Sequence, residues 1–115
     1  MLEFKTIPIK KPEDVNVIIG QAHFIKSVED IYEAVVQASP QIKFGVAFSE
    51  SSGACLARIE GNDAELKEIA KNACLDIASG HCFILALRQG YPINILNALK
   101  MISEVCTIYC ATANP

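Results

Sequence analysis

His23 and His81 are the two histidines of the chain, and each stands where one element gives way to the next. His23 follows an apolar run and precedes a helix-starting serine. His81 follows Gly80 and opens the most apolar run of the chain. Site residues collect at such boundaries. A histidine there can move a proton or contact an anion. The plainer reading is a ring hydrogen-bonded to nearby backbone. Two histidines without a third ligand make a weak zinc site, and no residue is assigned to a metal.

Glu50-Ser51-Ser52-Gly53 offers a carboxylate, two hydroxyls and a turn with free backbone N–H groups. Such a concavity can cradle phosphate, although Ser-Ser-Gly also suits any hairpin turn. Lys26 and Arg58 are candidate cations for the phosphate. Arg58 can equally be half of a surface ion pair. Glu60-Gly61-Asn62-Asp63 can hold Mg²⁺ through carboxylates or cap a helix, and capping is preferred for Asn62 and Asp63. Asn94, Asn97 and Asn114 are amides on or near apolar elements. An amide pairs a donor with an acceptor, as the Watson–Crick edge of adenine does. Asn94 can instead cap the last helix. The phosphate loop, the dinucleotide glycine motif, the His-Glu-x-x-His pair and the nucleophile elbow are absent from the sequence.

The elements that must position these residues follow from hydrophobic period. Leu2–Ile9 alternates as a strand with one wet face, and Lys10 to Asp14 is a turn. Val15–Gln21 is nearly continuous in apolar residues, as a strand covered on both faces is. Ser27 starts a helix, with Asp30 completing a variant capping box, and Pro40 ends it. Lys43–Ser49 and Ala54–Glu60 are strands, antiparallel because their connection is short. Asn62 or Asp63 caps the next helix, and Gly80 is its expected stop. Cys82–Leu87 is a central strand. A helix over Pro92–Ile102 and a strand over Val105–Ala111 complete the order ββαββαβαβ. This predicts an α/β fold, a mixed β-sheet covered by helices.

A chain of 115 residues makes one domain. Its 51% hydrophobic and 20% charged content leaves little polar surface and points to a subunit interface. Net charge is −3 with no long basic run, which argues against nucleic acid. No uncharged run exceeds 11 residues, against the roughly 20 that a membrane helix needs. Glu3 stands where a signal peptide carries positive charge, so a cytoplasmic protein is expected. Cys55, Cys74, Cys82, Cys106 and Cys110 read mainly as core residues. Along a strand, Cys106 and Cys110 would lie about 13 Å apart, too far for a disulfide.

Five stretches carry a resemblance: Ile18–Lys26, Lys43–Gly53, Glu60–Asp63, Gly80–Ile84 and Pro92–Ala98, together with the closing Val105-Cys106 and Cys110–Pro115. In this order they resemble the adenosine-specific kinase family of archaea and some bacteria, over nearly the whole chain. The resemblance implies a cytoplasmic homotrimer that binds adenosine or AMP. It also implies phosphoryl transfer from ATP to adenosine to give AMP, with Mg²⁺ accompanying ATP by reaction class. The matching polar positions are His23, Lys26, Glu50, Ser51, Ser52, Gly53, His81, Asn97 and Asn114. Glu50 or His23 would take the proton of the 5′-hydroxyl, and the others would contact substrate. Members of the family continue past Ala113-Asn114-Pro115. Residues 1–115 are therefore expected to form a single domain, C-terminally truncated relative to the family. No ATP-binding signature accompanies the acceptor site, so a non-catalytic adenosine nucleotide-binding or sensor protein is the alternative. A structural oligomerisation module is the third reading.

Overall fold

The structure, a computed structural model, describes residues 2–23, 27–50 and 57–112. Its elements are β1 (Asn16–Ala22), α1 (Ser27–Ala38), β2 (Lys43–Ser49), β3 (Ala57–Gly61), α2 (Ala64–Ile77), β4 (Cys82–Arg88), α3 (Leu96–Lys100) and β5 (Val105–Thr112). A single 3₁₀ turn, Pro92–Asn94, precedes α3. The α/β class and the element order from the second expected strand onward agree with the sequence reading. Leu2–Ile9 does not join the sheet. Leu2 is 80% and Phe4 88% exposed. Alternation makes a strand only where a neighbour takes its hydrogen bonds and its apolar face; among the described residues this segment has no strand partner, and its apolar contact with the core is made by Ile9, at its end.

The strand order is β3-β2-β4-β1-β5, with every described pairing antiparallel rather than mixed. Each crossover helix returns the chain in its starting direction, as in a parallel unit, but a strand is inserted between the two it joins. β4 lies between β1 and β2, and β2 lies between β3 and β4. The inserted strand runs against both neighbours, so the crossovers yield an antiparallel sheet.

Alternation along β4 divides the core in two. Phe83, Leu85 and Leu87 meet Val28, Ile31 and Val35 of α1 and Leu99 of α3 on one face. Cys82, Ile84 and Ala86 meet Leu66, Ala70, Ala73 and Cys74 of α2 on the other. Both faces of β4 are buried, as its apolar run requires.

Local signals explain the helix ends. Asp63 caps α2, its Oδ1 accepting the Leu66 N–H at 3.0 Å. Asn62 instead fastens the start of β2. Its Oδ1 accepts the Phe44 N–H (2.8 Å) and its Nδ2 donates to the Ile42 carbonyl (2.9 Å). Asn94 Oδ1 accepts the Tyr91 N–H at 2.8 Å, so this amide serves the helix entry. α2 stops earlier than Gly80. Ala78 takes the left-handed conformation (φ 55°) and returns its N–H to the Cys74 carbonyl.

The cysteines divide rather than all entering the core. Cys74 and Cys82 are buried, whereas Cys106 and Cys110 are exposed on β5, an edge strand; Cys55 lies outside the described residues. Burial, helped by the neighbouring Cys82, pushes the Cys74 thiol from 9.0 up to about 11, and burial raises Cys82 as well. Iodoacetamide at about pH 8.5 is therefore expected to alkylate Cys106 and Cys110 while sparing Cys74 and Cys82 until denaturant is added. The unfolded thiol ionises first, so the stability contributed by neutral Cys74 is complete below pH 9.0. It is lost as pH rises toward about 11. Mass mapping and urea midpoints against pH check both statements.

Candidate functional site

The antiparallel arrangement gathers five chain segments at one end of the sheet. β1 and β2 finish there, and β3, β4 and β5 begin there. His23 follows β1, Glu50 follows β2, Arg58 is the second residue of β3, and His81 precedes β4. Residues from distant parts of the sequence are thus placed on one rim.

His81 is held mainly through its backbone. Its N–H donates to the Ser49 carbonyl (2.8 Å), and its carbonyl accepts the Ala22 N–H (2.9 Å). The residue extends β4 by one position toward both neighbours. It does so at φ 64°, a conformation in which histidine is several-fold enriched among non-glycine residues. His23 donates its N–H to the Glu104 carbonyl at 3.0 Å. The two rings then stack, with centroids 5.0 Å apart and planes 13° from parallel. Phe48, fully buried, lies beneath His81 at 6.4 Å. A column results, with a buried phenyl at its foot and the exposed His23 at its head.

Glu50 pairs with Arg58 through the guanidinium Nε, in a partly exposed ion pair. Arg58 therefore faces Glu50 rather than Glu60. Gln21 and Tyr109 complete the rim. The Tyr109 hydroxyl donates to Gln21 Oε1 at 3.1 Å, and Gln21 Nε2 lies 3.3 Å from His23 Nε2. The sequence reading passed over both residues. The available signal was a polar side chain in a strand of otherwise apolar character, since Gln21 closes the run Val17-Ile18-Ile19-Gly20.

The other expected site residues separate from this rim or fall beyond description. Lys26, Ser51, Ser52, Gly53 and Asn114 lie outside the described residues. Asn97 is exposed on α3, and among the described residues no side-chain hydrogen bond ties it to the histidines. β5 ends at Thr112 opposite Val17, at the far end of the sheet from His23. In an antiparallel sheet strand ends occur at both edges, so the carboxyl end of β5 does not mark the histidine rim. Among the described residues no three histidine, cysteine or acidic side chains gather as a metal site.

Residues 7–115 match the family described as adenosine specific kinase. The chain belongs to the adenosine-specific kinase family. A solved structure, the PH1918 protein from Pyrococcus horikoshii OT3, is 44% identical and superposes with a TM-score of 0.89. The match covers 95% of this chain and 67% of that one. Among curated proteins nothing matches. Family membership supports an adenosine-related kinase function for the chain. No helix among the described residues is long and apolar enough to cross a membrane.

Proposed function

We propose that this chain binds adenosine at the histidine rim and transfers the γ-phosphoryl group of ATP to its 5′-hydroxyl, giving AMP and ADP. The observation that carries this reading is the His23–His81 stack at the same end of the sheet as Glu50, in a chain of this family. The exposed face of His23 offers a flat surface for adenine, an interaction worth on the order of 1–3 kcal/mol per base. Glu50 takes the proton from O5′. The O5′–P bond forms, the bridging P–O bond of ATP breaks, and ADP leaves with its electron pair.

Phosphoryl transfer depends chiefly on positioning and charge neutralisation. Arg58 neutralises the moving phosphoryl group, with Lys26 as a further cation. Ser51, Ser52 and Gly53 supply phosphate contacts, and Asn97 and Asn114 are further substrate contacts. Mg²⁺ arrives on the triphosphate as part of the donor. A cytoplasmic homotrimer is part of the same reading, which also includes AMP as a ligand.

One observation favours the second reading, a non-catalytic adenosine or AMP sensor. The Glu50 carboxylate is already engaged by Arg58. Two measurements separate the readings. Calorimetry is expected to give heat with adenosine and AMP and none with guanosine. Incubation with ATP, Mg²⁺ and adenosine is expected to yield AMP and ADP in equal amounts. Binding without turnover selects the sensor, and absence of binding removes both. His81→Ala, which removes the middle ring of the column, is expected to weaken adenosine binding about tenfold, the equivalent of one lost stacking contact.

A further inference from the structure

We infer that Tyr109 and Gln21 are positioning residues that fix the tautomer of His23, so that the ring offers Nδ1–H as a donor. The nucleoside part of this inference rests on the function proposed above; the tautomer part does not.

The sequence of contacts gives the direction of each hydrogen bond. Tyr109 carries one hydroxyl proton, and its oxygen lies 3.1 Å from Gln21 Oε1, which can only accept. The Gln21 amide is thereby oriented with Nε2 toward His23. That nitrogen can only donate. His23 Nε2, 3.3 Å away, must then present its lone pair. In a neutral imidazole the proton therefore sits on Nδ1. The free side chain favours the other tautomer, so the contact changes the ring's preference.

The backbone supports this arrangement independently. β5 slips register against β1 twice, between Ile19 and Gly20 and between Gln21 and Ala22. Ile19 pairs with Cys110 and Gly20 with Ile108, which leaves Tyr109 as the extra residue of the first slip. Gln21 pairs with Thr107, two residues from Tyr109. Bulges re-aim side chains, and they are frequent beside active sites. Here the bulge sits at the residue whose hydroxyl reaches Gln21.

The chemical consequence divides the labour of the rim. With Nε2 occupied and Nδ1 protonated, neutral His23 is a donor and not a base. Its face serves the adenine, its Nδ1–H serves an acceptor of the ligand, and proton removal falls to Glu50. This narrows the two bases allowed by sequence to one.

The test uses the ligand-free chain with ¹⁵N-labelled histidine, read by long-range ¹H–¹⁵N correlation where the rings are neutral. His23 is expected to show the Nδ1–H pattern. Gln21→Leu is expected to return it to Nε2–H. Tyr109→Phe, which frees the amide to rotate, is expected to mix the two. Gln21→Glu replaces a donor with an acceptor at the same place and is expected to drive His23 to Nε2–H. Unchanged His81 signals in each variant show that the rim is still folded. Wild-type His23 as Nε2–H, or an unchanged tautomer in both Gln21→Leu and Gln21→Glu, overturns the inference. Failure of adenosine to bind would remove the proposed function but leave these spectra to decide the relay.

Discussion

Gly45→Ala is expected to cost at least about 3 kcal/mol, at the upper end of what overpacking ordinarily costs. The reason lies in what the added methyl group would meet. A Cβ on Gly45 falls 2.2 Å from Lys67 N and 2.4 Å from both Leu66 C and Lys67 Cα. All three are backbone atoms of α2, so no rotamer change relieves the contact. The helix must move off the sheet, and Leu66, Ala70, Ala73 and Cys74 lose their seat against Ala47, Ile84 and Ala86 as it does. Many of these residues are small, and the close approach of α2 to β2 depends on that smallness. A domain with a stability of roughly 5–15 kcal/mol can spend a large part of it here. Urea denaturation followed by circular dichroism measures the loss. A shift under about 1 kcal/mol would show that α2 does not rest on Gly45.

The parts of the fold that were legible in the sequence are those fixed by neighbours in the chain. Cys82–Leu87 reads as a central strand because both of its faces are apolar, and β4 is buried on both faces. Asp63 reads as a cap and caps α2. What misled was pattern without a partner. Leu2 and Phe4 alternate correctly, but no strand edge among the described residues receives them. Gly80 reads as the helix stop because glycine takes positive φ without penalty; Ala78 and His81 adopt that conformation instead. Cys106 and Cys110 sit in an apolar run, yet β5 is an edge strand and leaves them exposed.

Beyond the β2–β3 pairing and the central place of β4, the strand order is not legible in the sequence, since it depends on which strand inserts between two others. The site inherits that limit. His23 and His81 were visible as boundary residues, but their stacking requires the ends of β1 and the start of β4 to be neighbours. Gln21 and Tyr109 meet only because β5 bulges against β1. The sequence allows Arg58 a surface ion pair without naming the partner. The hairpin register sets Phe48 opposite Arg58, which brings Glu50 within reach of the guanidinium.

Glu50→Gln is expected to lower AMP formation by about 10²–10⁴-fold, the range for a lost general base. The same change is expected to leave the fold nearly untouched, because partly exposed ion pairs contribute only about 0–1 kcal/mol. Adenosine affinity should stay within about threefold, since one hydrogen bond of a neutral amide replaces one of a carboxylate in the bound state. This combination separates chemistry from support. A residue that merely held the rim together would lose stability and binding along with rate. Arg58 makes the test sharper. In the resting protein its guanidinium engages Glu50, and the incoming phosphate offers it a competing anion. Transfer of Arg58 to the phosphoryl group would release the carboxylate to accept the O5′ proton at the moment both roles are required. The two side chains would then act as one unit. Glu50→Gln with Arg58→Gln should lose little more rate than the more damaging single change, as residues of a shared mechanism do. Initial rates of the two single variants and the double variant, at saturating adenosine and ATP, measure this coupling. Additive losses would mean that the pair is a surface contact and that the base lies elsewhere, and turnover of Glu50→Gln within tenfold of the parent would remove Glu50 from the chemistry.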